Sequence, residues 1–234
     1  MSDIDSTGKT ALVVGASRAI GLALSAELLR RGWNVIATVR NDRSEELRQL
    51  EQQAERRLTI EHLDITERTQ ITALRERLAG TTLDLLYVNA GITNRNQPID
   101  EVSTEDFVDV MVTNALSPMR VVEGLSPLVA PSGTVAVMSS RQGSVSMNGK
   151  GGHEAYRASK AALNQLMRSY AARHHDDPRT LLLIHPGWVK TELGGPGAQL
   201  SIEESVHGVV NVLERHTGEG GLQFLNYLDQ VVAW

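Results

Sequence analysis

Tyr156 and Lys160 stand one helical turn apart in YRASK, so a helix here puts the phenol and the ammonium on one face. A phenol with its ordinary pKa of about 10 is a weak acid at neutral pH. A neighbouring cation stabilises the phenolate, which makes the phenol's proton available to a developing alkoxide. Ser140 closes the apolar run TVAVMSS, so its hydroxyl stands at a strand end, where an open α/β sheet binds ligands, and can hold a carbonyl oxygen. Taken alone, Tyr-x-x-x-Lys is equally the mark of an amphipathic helix with a half-buried phenol. The setting has to decide.

A second cluster is suited to phosphate. Gly15, Ala16, Ser17, Arg18, Ala19, Ile20 and Gly21 lie between the apolar run TALVV and a helical pattern, and in such a turn backbone amides and the helix dipole attract a pyrophosphate. Gly15 permits the turn and Gly21 permits close helix packing, whereas Ala19 stands where a phosphate-approaching glycine is expected. Nineteen residues after Gly21, Arg40 follows the run WNVIATV, near the place where doubly wound domains meet the adenosine ribose. No carboxylate is there to accept a bond from a ribose 2′-hydroxyl, and Arg40 with Arg18 would instead attract a 2′-phosphate. NADP(H) is therefore expected in preference to NAD(H). The bland alternative is that both arginines are solvated surface charges.

These groups need elements to hold them. Apolar, β-branched runs begin at Thr10 (TALVV), Trp33 (WNVIATV), Leu58 (LTIEHLD), Leu83 (LDLLYV), Thr134 (TVAVMSS) and Thr180 (TLLLIH), with a last short one near Leu222–Asn226. Helical patterns alternate with them over 19–31, 44–57, 67–78, 105–122 and 154–174, and a final one follows Ser201, whose Glu204 three residues on forms a capping box. Strands apolar enough to be buried on both faces imply an α/β fold: a doubly wound parallel sheet of about seven strands with helices on both faces. No repeat, low-complexity tract or linker interrupts residues 1–234, so one domain is expected to carry both clusters. The least regular segments, SVSMNGKGGH before Tyr156 and ELGGPGAQL after Thr191, are glycine-rich loops suited to border a site.

A net charge of −5 gives no broad basic field for nucleic acid or anionic membrane. The first ten residues have no secretory pattern and no apolar run reaches membrane-spanning length, so a cytoplasmic protein acting on small molecules is expected. With no cysteine there is no disulfide or thiolate metal site. His174, His175, Asp176 and Asp177 read as the polar end of a helix rather than as metal ligands, and no metal is expected. A serine-hydrolase elbow needs G-x-S-x-G, and Gly15–Ala19 ends in alanine. His153 either touches a substrate or lines a loop.

In order and spacing the chain resembles the short-chain dehydrogenase/reductase family over nearly its whole length. VGASRAIG resembles the family's T-G-x-x-x-G-x-G turn, with Val14 and Ala19 departing from it. Asp64, followed by Ile65 in LDIT, is similar to the family aspartate beside the adenine, and Asn89, Ala90 and Gly91 resemble its N-N-A-G motif with Val88 in the first place. The resemblance implies a single-domain Rossmann fold and a catalytic tetrad of Asn114, Ser140, Tyr156 and Lys160, in which Asn114 holds a proton-relay water. It also implies that Lys160 binds the nicotinamide ribose and that Pro186, Gly187, Val189 and Thr191 contact the nicotinamide end. HPGWVKTELGGPGAQLSIEES and ATVRN look most like the small carbonyl-reductase and C-factor branch. The implied activity is hydride transfer between NADPH and a ketone or aldehyde, or the corresponding alcohol. The alternative is a dinucleotide-binding signalling protein of C-factor type with incidental turnover. The family also implies homodimers or homotetramers through the helices near Ala115 and Tyr156, and this branch includes monomers.

Overall fold

The computed structural model describes residues 8–41 and 44–234. Its strands are β1 (Thr10–Val14), β2 (Asn34–Val39), β3 (Leu58–His62), β4 (Leu83–Val88), β5 (Val129–Met138), β6 (Thr180–His185) and β7 (Leu222–Asn226). The main helices are α1 (Ala19–Arg30), α2 (Glu45–Gln53), α3 (Arg68–Arg77), α4 (Thr104–Met111), α5 (Ser117–Leu125), α6 (Glu154–Arg173) and α7 (Ile202–Arg215). The strands form one parallel sheet in the order β3-β2-β1-β4-β5-β6-β7. The chain thus winds outward from β1 in one direction, returns, and continues from β4 in the other. This is the doubly wound Rossmann arrangement, whose ligand crevice lies at the carboxyl ends of the strands where the winding reverses.

Alternate residues of each strand feed two cores. Leu12, Val14, Leu86, Val88, Val135, Val137 and Leu183 pack with Met119, Val122, Leu163 and Met167 from α5 and α6 on one face. Ala11, Val13, Leu85, Tyr87, Ala136 and Leu182 pack with Leu24, Leu28, Val206 and Val210 from α1 and α7 on the other. Near-continuous burial of β1 and β2 follows from helices covering both faces. Among the described residues no helix is long and apolar enough to cross a membrane.

The structure departs from the expected elements in three places. The helix expected to run over 44–57 stops at Gln53, because Glu55 and Arg56 take φ of 49° and 67°, which end a right-handed helix. β5 begins at Val129, earlier than Thr134, and its pairing with β4 shifts register between Leu83 and Leu85, so a bulge precedes the regular ladder. The helix expected over 105–122 is α4 and α5 joined by a π-turn over Val112–Leu116. Such a turn takes in one extra residue, and it centres on Asn114, whose side chain is tied sideways to other segments. The capping box before α7 forms as expected: Ser201 Oγ accepts from the Glu204 amide at 3.1 Å, and Glu204 Oε2 accepts from the Ser201 amide at 3.0 Å.

Candidate active site

β1 delivers the glycine turn to the carboxyl edge. The Gly15 amide donates to Thr38 Oγ1 at 3.1 Å, Ala16 N donates to Thr38 O at 2.8 Å, and Asn89 Nδ2 donates to Gly15 O at 2.8 Å, so the neighbouring strands β2 and β4 hold the turn in place. Gly15 has φ +87°, and a Cβ there would lie 2.8 Å from that of Ala90. A Cβ on Gly21 would lie 2.1 Å from Gly15 O. Neither position has room for a side chain. Ala19, the residue that departs from the glycine pattern, sits at φ +49°, a left-handed conformation that costs an L-residue about 1–2 kcal/mol. The backbone therefore keeps the shape a glycine would give. Ala19→Gly is expected to raise unfolding stability by about 1 kcal/mol, measured as a shift in the denaturant midpoint at unchanged slope.

Around this turn, Ser44 Oγ donates to Ser17 O at 2.5 Å, and Ile20 packs against the α1–α7 face of the core. Arg18 forms an exposed ion pair with Glu192 from the segment after β6. The two arginines expected together are thus differently engaged: Arg40 is exposed at the end of β2, while Arg18 reaches across to the other side of the crevice. Asp64 spends one carboxylate oxygen on the Thr66 amide and hydroxyl, at 2.9 and 2.7 Å, while Ile65 beside it is buried.

The chemical half is assembled from β4, β5, the π-turn and α6. Tyr156 and Lys160 are 8% and 3% exposed on the inner face of α6, with the Lys160 nitrogen 5.9 Å from the phenol ring centre. Lys160 Nζ donates to Met138 O at 2.9 Å, so the end of β5 fixes the ammonium. Ser140 follows, its Oγ accepting from the Gln142 amide at 3.1 Å. Burial pushes the Tyr156 phenol up to about 12, against the opposing pull of its hydrogen bond with the Ser140 hydroxyl, and pushes Lys160 down to about 8. The structure therefore places Tyr156, Ser140 and Lys160 together, and in the free chain burial outweighs the expected lowering of the phenol's pKa.

Asn114 is fully buried. Its Oδ1 accepts from Ile92 N at 2.8 Å, and its Nδ2 donates to Ile92 O at 2.8 Å and to Ser159 Oγ at 3.0 Å. Gly91 opens a space between Asn114 and the lysine: a methyl group on it would lie 3.2 Å from Asn114 Oδ1 and 3.7 Å from Lys160 Nζ. On the far side Gly187 has φ +89°, and Pro186 O accepts from Ser205 Oγ at 2.6 Å. Val189 is buried and bridges to Leu200, while Thr191 Oγ1 accepts from Gly194 N at 3.0 Å.

Several supporting residues carry no motif of their own. A Cβ on Gly143 would lie 2.8 Å from the Lys160 carbonyl carbon, so only glycine lets the segment after Ser140 approach α6 this closely. Ser139 Oγ donates to Asn164 Oδ1 at 2.6 Å and Asn164 Nδ2 reaches Gly143 O at 3.4 Å, which clamps the end of β5 to α6. His185 at the end of β6 is held near pKa 4 by burial first and by the charge of Arg141 second, so its imidazole is neutral. His153 takes φ +49° just before α6, and its amide donates to Asn96 Oδ1 at 2.7 Å, which gives it a place in the loop framework. In the polar run after α6, His175 lies 3.1 Å from Asp176, Asp177 pairs with Arg179 at 2.5 Å, and His174 packs on Tyr170 with ring centres 4.4 Å apart.

Comparison with known proteins agrees with this architecture. The family model for short chain dehydrogenase matches residues 9–199. A Burkholderia multivorans protein solved with bound NADP, described as a short-chain dehydrogenase/reductase, is 56% identical; the alignment covers 97% of this chain and 100% of that one, with a TM-score of 0.95. A carbonyl reductase from Pseudomonas aeruginosa PAO1, solved in complex with NADP, is 38% identical over 97% of this chain and 100% of its own, with a TM-score of 0.91. The C-signal protein of Myxococcus xanthus is 36% identical over 154 residues, which are 65% of this chain and 93% of that protein. A parallel doubly wound sheet, a tight glycine turn at its centre, a buried Tyr-x-x-x-Lys pair on α6 and a family match over most of its length together establish that the chain belongs to the short-chain dehydrogenase/reductase family.

Proposed function

We propose that this protein is an NADP(H)-dependent reductase of ketones or aldehydes, running in reverse as an alcohol dehydrogenase. The observation that carries the reading is the burial of Tyr156 and Lys160 on one face of α6 with Ser140 beside the phenol. Placing a phenol and an ammonium in a low-dielectric site is costly, and a site intended only to hold a dinucleotide has no chemical need of all three groups.

The residues fit a dinucleotide. Gly15 and Gly21 keep the turn tight against Ala90 and Gly15 O, and α1 begins there with no side chain capping its N-terminus, so its first amides would be available to a pyrophosphate. Asp64 and Ile65 would border the adenine, Asn89, Ala90 and Gly91 the central crevice, and Pro186, Gly187, Val189 and Thr191 the nicotinamide. Arg40 is assigned to the 2′-phosphate. When bound, NADPH supplies the hydride.

The chain's own residues manage the oxygen and the proton. Ser140 Oγ and the Tyr156 phenol both donate to the substrate oxygen, so the charge that develops there meets two positioned donors. Tyr156 gives up its proton as the alkoxide forms. Lys160, fixed by Met138 O, stabilises the phenolate left behind. Asn114 Oδ1 and Lys160 Nζ border one small space above Gly91, which supports the return of a proton through a water held between them. The side-chain bonds of Asn114 to Ile92 and Ser159 give it a second task, holding the π-turn against α6.

NADPH oxidation should be followed with a panel of aldehydes, ketones and quinones, using NADH as control. Turnover of at least one carbonyl class with NADPH is expected. Tight NADPH binding with no turnover of any would favour a signalling role, the reading to which the similarity with C-signal points.

A further inference from the structure

Pro186 and Gly187 leave β6 at the carboxyl edge of the sheet, and Gly187 takes a φ of +89°, a turn that only glycine makes at no steric cost. The turn is pinched from two sides. A Cβ on Gly187 would lie 2.6 Å from Leu200 Cδ2, and 2.9 and 3.1 Å from Tyr227 Cε1 and Cδ1, so one edge of the Tyr227 ring lies against the main chain of the turn. The other edge of that ring meets a second glycine. A Cβ on Gly208 of α7 would lie 3.0 Å from Tyr227 Cδ2 and 2.3 Å from Tyr227 O. Tyr227 is therefore a wedge between α7 and the turn after β6, and each of the two sites it enters is open because it carries no side chain.

The wedge is itself fixed. The Tyr227 amide donates to His185 O at 3.0 Å, which extends the pairing of β7 with β6 by one residue. The chain then closes on itself: Asn226 Oδ1 accepts from Leu228 N at 2.9 Å and from Gln230 N at 3.0 Å, and Asn226 N donates to Gln230 O at 2.9 Å. Asp229 ties this turn to the end of α7 through Arg215 at 2.5 Å and His216 at 2.6 Å. A rigid ring gripped at its main chain and along both edges passes its position on to what it touches, because close-packed interiors transmit displacement. We propose that Tyr227 is a positioning residue that sets the Pro186–Gly187 turn against the nicotinamide of the bound coenzyme. This rests on the reading above that the turn borders the nicotinamide, and it is independent of which carbonyl compound is reduced.

The test uses Tyr227→Ala, Tyr227→Leu and Tyr227→Phe with two probes: NADPH, and adenosine 2′,5′-bisphosphate, which has the adenosine and the 2′-phosphate without the nicotinamide. For Tyr227→Ala the dissociation constant of NADPH, read by fluorescence, is expected to rise about tenfold, while that of adenosine 2′,5′-bisphosphate, read by calorimetry, stays within about twofold. In the coenzyme-free protein, amide exchange quickens at Lys190 and Leu200, whose amides donate to Leu200 O and Trp188 O just beyond the turn, and is unchanged in β1. Tyr227→Phe keeps both ring edges and restores affinity and exchange. Tyr227→Leu keeps apolar bulk without the flat ring and gives a smaller change in the same direction, which carries the test if Tyr227→Ala does not fold. Unchanged exchange at Lys190 and Leu200 in a folded variant overturns the positioning role. Quickened exchange there with unaltered NADPH affinity leaves Tyr227 holding the turn and overturns the assignment of the turn to the nicotinamide. Equal weakening of both ligands overturns the proposal as well, since the loss then reaches the adenosine end.

Discussion

Tyr156→Phe is expected to lower kcat for carbonyl reduction by about three orders of magnitude while NADPH affinity stays within about twofold. The substitution removes one oxygen from a buried ring and keeps the ring's packing, so the loss isolates proton transfer from folding. Full turnover by this variant would sink the assignment of Tyr156 as the acid. The pH dependence follows from the same burial. With the phenol pushed up to about 12, Tyr156 keeps its proton throughout the neutral range, so reduction should not lose its acid between pH 6 and 9. Lys160, pushed down to about 8, loses its positive charge as pH rises through that value, and the phenolate then loses its counter-charge. The free enzyme's kcat/KM for reduction is therefore expected to be flat below about pH 8 and to fall above it. A profile that stays flat through pH 8 to 10 instead would show that the charge of Lys160 is not needed for reduction.

The second large effect concerns the coenzyme. Arg40 is exposed at the end of β2, with no carboxylate of β2 beside it to read a free ribose 2′-hydroxyl. A charge-assisted bond from guanidinium to phosphate contributes about 1.5–3 kcal/mol, and a carboxylate in its place adds repulsion. Arg40→Asp should therefore raise the ratio of kcat/KM for NADH to that for NADPH by about 100-fold or more. Most of the change should fall in the coenzyme KM, since Arg40 is remote from Tyr156 along the crevice. Arg18 is paired with Glu192 in the free chain, so Arg18→Ala is expected to have the smaller effect on preference. Comparable efficiency with both coenzymes in the wild type would remove the assignment of Arg40.

Much of the architecture is readable from local pattern. Apolar runs such as TALVV and TLLLIH can be buried on both faces only in a covered parallel sheet, and their alternation with helical periods leaves little choice beyond a doubly wound α/β fold. Residues whose chemistry depends on short spacing are equally legible. Tyr156 and Lys160 share a helix face because helical geometry requires it, and Ser201 with Glu204 forms its capping box for the same reason.

What the sequence could not express is long-range contact. Nothing near Gly143 in the chain shows that its missing side chain makes room for Lys160, and nothing in Asn114 shows a π-turn bonded to Ile92 and Ser159. Ser139 and Asn164 become a clamp only when β5 meets α6, and Trp234 finds Ser144 and Ser146 only through the folding back of the chain after β7. Electrostatics follows the same division. From residue types alone Lys160 should lower the pKa of Tyr156, yet burial, which belongs to the packed molecule, raises the phenol to about 12 and lowers the ammonium to about 8. Periodicity and spacing are local, so the strands, most of the helices and the chemical groups at their ends can be read along the chain, whereas the early end of α2 and the π-turn at Asn114 cannot. Tertiary structure alone decided which groups are desolvated, which are already partnered and which face the crevice, because desolvation and partnership depend on atoms far away along the chain.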